Sequence, residues 1–238
     1  DYKDILANPQ RVIDIVKTEM TEIAQKYGEP RKTEICTDYS EIDIGDLIEK
    51  EDVVVSMTHL GYVKRLPVAE YHTQRRGGKG VTAHKPREED FVEKMFVTNT
   101  HDDLLFFTNR GKVYCIKGYE IPEAERTARG RAIVNILQLE NGEKVTAVIP
   151  RKEDSTGNLI MATRQGLIKK TALEEFESIR KSGKIAISLT EDDELIGVDM
   201  TTGYDEILMA SHEGKCIRFS EEEVRAKGRD TMGVRSMK

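Results

Sequence analysis

The sequence predicts a mainly β protein built as blades of a propeller-like solenoid, preceded by an α-helical segment. Three observations carry this. From residue 53 onward the chain repeats with a period of about 50 residues, the span of one four-stranded blade. Each repeat places Thr/Ser-x-x-Gly between two apolar-rich runs, the pattern of a hairpin closed by a glycine-bearing turn. Residues 1–33 instead carry apolar residues at helical spacing.

In the helical segment, Asn8 is a good N-cap and Pro9 suits the first helical position. Val12, Ile13, Val16, Met20, Ile23, Ala24 and Tyr27 then recur on one face, and Gly28 and Pro30 are expected to stop the helix. One apolar stripe on one helix cannot fold alone, so it docks either on its own domain or on chain lying upstream. The opening Asp1-Tyr2-Lys3-Asp4, without Met, reads as a piece of something longer. Residues 34–52 set Glu34, Asp38, Glu41, Asp43, Asp46, Glu49, Glu51 and Asp52 against Lys50 alone, which reads as an acidic linker and lead-in.

Residues 53–238 hold about four units, near 53–101, 102–156, 157–203 and 204–238. The turn glycines are Gly61, Gly111, Gly166 and Gly214, at intervals of 50, 55 and 48 residues. A basic-glycine element follows each at 17, 19, 17 and 19 residues, as Gly78-Lys79, Gly130-Arg131, Gly183-Lys184 and Gly233-Val234-Arg235. A third strand is expected just beyond it, at 133–137 and 185–189, and a fourth at 145–149 and 195–198.

Charge is segregated along these units. The chain carries a net −6, yet residues 56–85 around the first turn and basic-glycine element are +5, and the matching stretches 108–131, 163–184 and 211–235 are +3, +3 and +1. Positive charge therefore returns once per blade at one structural position, which is the footprint of a polyanion-binding rim. No apolar run approaches the ~20 residues of a membrane span. The three cysteines form no CxxC and the five histidines no HxxxH, so neither a metal site nor a disulfide framework is expected.

The densest cationic stretch is Gln74-Arg75-Arg76-Gly77-Gly78-Lys79-Gly80. Arginine forks onto phosphate oxygens, and glycine lets a backbone approach closely. Taken alone this could be an ordinary solvated loop; its place in the charged repeat favours a nucleic-acid backbone as ligand.

That heptapeptide, within this repeat, resembles the C-terminal domain of the gyrase A protein of DNA gyrase, a family marked by Gln-(Arg/Lys)-Arg-Gly-Gly-(Arg/Lys)-Gly. Glu51-Asp52-Val53-Val54-Val55, Gly61-Tyr62-Val63-Lys64, Glu88-Glu89-Asp90-Phe91 and Gly197-Val198-Asp199 are similar too. Residues 1–33, running into Glu34-Ile35, resemble the last helix of the breakage–reunion domain and its exit. The resemblance implies a six-bladed β-pinwheel whose blades exchange strands, of which about four are present here. It implies chiral wrapping of duplex DNA for an ATP-dependent type II topoisomerase that introduces negative supercoils. Gln74 to Gly80 would bind phosphates on the first blade, and Lys64, Arg65, Arg129, Arg131, Arg180, Lys181, Lys184, Arg229 and Arg235 would continue the rim. The implied partners are double-stranded DNA, a second gyrase A chain and the gyrase B protein in an A2B2 holoenzyme, in the cytoplasm and with no membrane. No cofactor is expected in this chain, ATP and magnesium being used elsewhere in the holoenzyme. No catalytic residue is expected either: in the family the cleaving tyrosine follows an arginine, and none of the eight tyrosines here does. The rival readings are the gyrase-A-like component of topoisomerase IV, where the motif is degraded or missing, and a propeller-like protein-interaction scaffold.

Overall fold

The structure, a computed structural model, describes residues 2–29, 33, 44–71, 90–152 and 154–237. They belong to two units, 1–43 and 44–238. In the first, Asn8 separates two helices, α1 (Tyr2–Ala7) and α2 (Pro9–Tyr27), where one was expected. Its backbone is extended, and its side chain accepts from the Gln10 N–H at 3.2 Å. Gly28 ends α2 by donating to the Ala24 carbonyl, in an extended conformation and not the left-handed one. The expected apolar stripe is present, with Val12, Ile13, Val16, Met20, Ile23 and Tyr27 all exposed.

The second unit is built from hairpins. They are β1 (Asp52–Thr58) with β2 (Tyr62–Pro67), β4 (Asp103–Thr108) with β5 (Lys112–Lys117), β8 (Asn158–Thr163) with β9 (Leu167–Ala172), and β12 (Glu206–Ala210) with β13 (Cys216–Ser220). Outside β1, β4 and β8 lie β3 (Val92–Asn99), β7 (Val145–Arg151) and β11 (Leu195–Thr201), all antiparallel. In the three four-stranded sheets the fourth strand comes from the following unit. These strands are β6 (Arg131–Ala132), β10 (Lys184–Ile185) and β14 (Val234–Arg235), giving sheet orders β3-β1-β2-β6, β10-β5-β4-β7 and β11-β8-β9-β14. Arg131 pairs with Val63, Lys184 with Val113, and Val234 with Ile168.

The long third strands expected at 133–137 and 185–189 are not formed. After β6 the chain turns through a 3₁₀ segment, Ile133–Asn135, with the Leu137 N–H bonded to the Ile133 carbonyl. Ile133 and Leu137 are buried while Val134 is 60% exposed. Their four-residue spacing is a helical-turn signature, and the β-branched composition concealed it.

The hydrophobic core lies between neighbouring sheets. Val53, Val55 and Met57 of β1 pack with Leu104 and Phe106 of β4. Leu105 and Phe107, on the other face of β4, pack with Leu159 and Met161 of β8. An inner strand buried on both faces favours apolar side chains at successive positions, which accounts for the unbroken Leu104-Leu105-Phe106-Phe107 run.

The turn glycines explain why the borrowed segment fits. All four have φ between 72° and 81°, a conformation natural to glycine. A Cβ on Gly111 would lie 2.4 Å from the Ile187 carbonyl oxygen, in the segment borrowed from the next unit, whereas one on Gly214 meets nothing within 4 Å. Gly214→Ala is therefore expected to cost about 1 kcal/mol from backbone strain alone, and Gly111→Ala about 2–3 kcal/mol. Urea unfolding of both variants checks this; equal costs would mean that the exchanged segment does not press on the turn.

Candidate nucleic-acid interface

Three of the four hairpin turns are held from inside by a hydroxyl that accepts a backbone N–H, while in the second the Thr108 hydroxyl donates to Glu143. The Gly61 N–H donates to the Thr58 carbonyl at 2.9 Å, and the Thr58 hydroxyl accepts from the Tyr62 N–H at 3.1 Å. Thr163 accepts from Leu167 N–H at 3.1 Å, and Ser211 from Lys215 N–H at 3.2 Å. In the first three turns a buried carboxylate just ahead of the neighbouring strand adds a brace. Asp90 accepts from Leu60 N–H at 3.0 Å, Asp193 from Gln165 N–H at 2.9 Å, and Glu143 from the Thr108 hydroxyl at 2.6 Å. These carboxylates were not singled out from the sequence as functional; their recurrence just before β3, β7 and β11 was the available signal.

The third residue after the turn glycine reaches into the segment supplied by the next unit. In the first hairpin it is Lys64, only 1% exposed. Its ammonium donates to the carbonyls of Glu125, Arg126 and Ala128 at 3.1, 2.5 and 2.9 Å. In the third it is Lys169, also 1% exposed, which donates to the carbonyls of Ala186, at 2.8 Å, and Arg229. In the second it is Tyr114, whose ring faces Gly183 and whose hydroxyl donates to Glu143 at 3.0 Å. Arg65, one residue on from Lys64, donates from Nε to the Ile121 carbonyl at 2.8 Å and pairs with Glu51 and Glu123 at 3.5 and 3.4 Å.

The expectation that Lys64 and Arg65 line the rim is thus corrected. Both are turned inward, because the borrowed loop presents carbonyls that must find donors once buried. Burial lowers the Lys64 pKa. Burial also pushes Lys169 down to about 8; Arg229 and Lys227 act in the same direction, and Asp230 and Glu175 oppose it.

The other cations named from the sequence lie on the borrowed loops. Arg129, Arg131, Arg180, Lys181 and Arg235 are exposed or partly so, and Lys184 is half-buried. Arg129 lies over the Tyr62 ring, 5.3 Å from its centroid. Arg229 is half-buried and donates to the Glu175 carbonyl at 3.0 Å. Arg131 and Lys184 occupy the same register position; in the third sheet Val234 takes that place, and Arg235 falls one residue later. A one-residue offset reverses the face of the strand, so Arg235 is not equivalent to the other two. Arg126 and Arg225 were overlooked and are exposed on the same loops. None of these loop cations forms an ion pair among the described residues. Gln74, Arg75, Arg76, Gly77, Gly78, Lys79 and Gly80 lie outside the described residues.

A cleft of about 650 Å³ is lined by Asn109, Arg110, Lys112 and Asp193 among others. Its two cations are both engaged by Glu140, at 3.0 and 2.5 Å. Among the described residues no group of three or more His, Cys, Asp or Glu could hold a metal ion.

A family model described as "DNA gyrase C-terminal domain, beta-propeller" matches residues 52–99, 102–152, 157–202 and 205–238. The chain is 48% identical to the gyrase A protein of Clostridium acetobutylicum over 236 residues, covering 99% of this chain and 28% of that protein. It superposes on the solved C-terminal domain of DNA topoisomerase IV with a TM-score of 0.70 at 31% identity, covering 80% of this chain and 58% of that one. The corresponding values for a solved DNA gyrase A C-terminal domain are 0.60 and 28%, covering 79% and 61%. The backbone likeness embraces both kinds of domain, while the sequence is nearer the Clostridium gyrase A relative than the topoisomerase IV domain.

The displaced titration of Lys169 has a signed consequence. Between about 8 and its ordinary 10.5, the unfolded chain holds this proton and the folded chain does not. Stability from this group therefore rises with pH across that window. Urea unfolding at pH 7.5 and 9 is expected to show wild type gaining stability relative to Lys169→Met; a difference independent of pH would refute the displaced value.

Proposed function

The chain belongs to the DNA gyrase C-terminal domain family, and we propose that it is the DNA-wrapping domain of a gyrase A protein. The observation that supports this most is the set of arginines and lysines, without ion pairs among the described residues, on successive borrowed loops. Cations left without carboxylate partners at repeated positions suit a ligand with regularly spaced negative charge. Duplex DNA is such a ligand, and contacts to its phosphates release counterions and read little sequence. A track that follows the stacked blades would bend the duplex along the row, and one hand of stacking gives one hand of wrap. In this reading Gln74 to Gly80 lead the track on the first blade, with Arg129, Arg131, Arg180, Lys181 and Lys184 continuing it and Arg229 and Arg235 at its far end.

The chain spans about a quarter of the length of the Clostridium relative. Strand cleavage, ATP use and assembly with a second gyrase A chain and the gyrase B protein in an A2B2 holoenzyme are therefore proposed for the whole protein, whose partner is the bacterial chromosome in the cytoplasm. The role of this chain is to deliver a wrapped segment for passage so that negative supercoils result. No described helix is long and apolar enough to cross a membrane.

The test is ligation of nicked circular DNA in the presence of the protein, followed by removal of protein and measurement of linking number. A shift of one sign is expected, lost when Arg75, Arg76 and Lys79 are changed together to alanine while the unfolding curve stays unchanged. Affinity for plain duplex should fall with salt at a log–log slope steeper than about −3. A shallow slope with no topological shift would favour a protein-interaction scaffold instead.

A further inference from the structure

On the borrowed segments, Arg126, Arg129, Arg131, Arg180, Arg225 and Arg235 spend none of their guanidinium N–H groups on a hydrogen bond or ion pair among the described residues. Arg129 alone of these lies over an aromatic ring, that of Tyr62, 5.3 Å from its centroid. The contact engages its charge on the negative face of the ring and leaves its donors without an oxygen partner. Strand exchange builds this pair. Tyr62 opens β2 and is fixed from two sides: its N–H donates to the Thr58 hydroxyl at 3.1 Å, and it pairs with Ala132 of the next unit. Between Arg129 and the paired strand stands Gly130, with φ 83° and a Cβ position only 2.4 Å from the Val63 carbonyl oxygen. Glycine lets the loop lie this close to β2, and Arg129 is thereby carried onto the ring. The other two joints have no such pair. Lys112 and Leu167 follow their turn glycines, and Ser182 and Met232 precede Gly183 and Gly233.

We propose that Tyr62 is a positioning residue that holds Arg129 as a fixed fork for one backbone phosphate of duplex DNA. The inference rests on the reading that this rim binds DNA. A guanidinium can offer two N–H groups to two oxygens of one phosphate. A long side chain loses rotamer freedom when it grips a ligand, and one already held over a ring loses less. Arg129 is therefore the anchor of the first joint, and the other loop cations follow the backbone without such preorganisation. The anchor is shared between units, the ring coming from the first and the guanidinium from the second, so it exists only once the joint between them has closed.

A double-mutant cycle on duplex binding by the full chain tests this, with Tyr62→Leu and Arg129→Ala as its two changes. Leucine suits the fold at this place, where the third hairpin carries Leu167. Arg129→Ala is expected to make the log–log salt slope shallower by about 1. Tyr62→Leu should weaken binding about three-fold, Tyr62→Phe, which keeps the ring, should restore it, and Tyr62→Leu should change nothing further once Arg129 is alanine. Should Tyr62→Leu fail to fold, the side-chain Nε–H resonance of Arg129 in the wild type supplies the second arm. It should be displaced from that of Arg180 by the Tyr62 ring current and move again on adding duplex; a signal that duplex does not move overturns the fork. Equal losses from Tyr62→Leu with and without Arg129 make the tyrosine merely structural and overturn the proposal, as does an unchanged salt slope in Arg129→Ala. Both results leave the DNA reading standing, because duplex still binds. A wild type that does not bind duplex overturns the DNA reading and the fork together.

Discussion

Everything in the second unit depends on a two-residue strand pairing. β6, β10 and β14 each add only a couple of residues to a sheet begun in the preceding unit, and their ladder bonds alone are a small stabilisation. Their effect is geometric. They bring the following loop across the mouth of the hairpin, where the turn glycines accept its close approach and Ile133, Ala186 and Ile187 fill the space beneath. Because the core lies between sheets and not within one, no hairpin can bury its apolar residues without its neighbours. Strand exchange and inter-sheet packing thus enforce one another.

Two populations of charged residues have different tasks. One is buried and hydrogen-bonded: Asp90 and Asp193 accept from turn N–H groups and Glu143 from the Thr108 hydroxyl and the Glu140 N–H, while Lys64 and Lys169 collect loop carbonyls. Burying an ion is costly unless it is hydrogen-bonded, so these residues sit where main-chain groups have no other partner. The other population stands on the borrowed loops, exposed or half-buried and without ion pairs among the described residues. Net charge does not separate the two, and neither does composition; the side of the hairpin on which a residue falls does.

The hairpins were legible because Thr/Ser-x-x-Gly encodes a complete local device, a hydroxyl acceptor and a residue able to take positive φ. β7 and β11 were legible from apolar runs of strand length. The exchange itself was known only through family resemblance, since two-residue strands leave no periodic signal, and Ile133 to Leu137 read as a strand by residue type although its burial follows a helical turn. At the interface, local sequence located the cationic loops but could not tell Lys64 from Arg129. Both are basic and both lie near a glycine; only pairing across units puts one under the loop and the other on it. Arg126 escaped notice because acidic neighbours, Glu123 and Glu125, obscured it.

Strand exchange also gives the molecule a direction in time. Val63 waits for Arg131, and Val113 for Lys184, each a whole unit further along the chain. During synthesis a hairpin leaves the ribosome with its outer edge open and its apolar face bare, and it is completed only when the next unit has emerged. The nascent array always trails one unfinished blade behind the ribosome. At any moment that blade is the part most open to chaperones, and a pause in translation just after a hairpin would prolong its exposure more than a pause just after a borrowed strand.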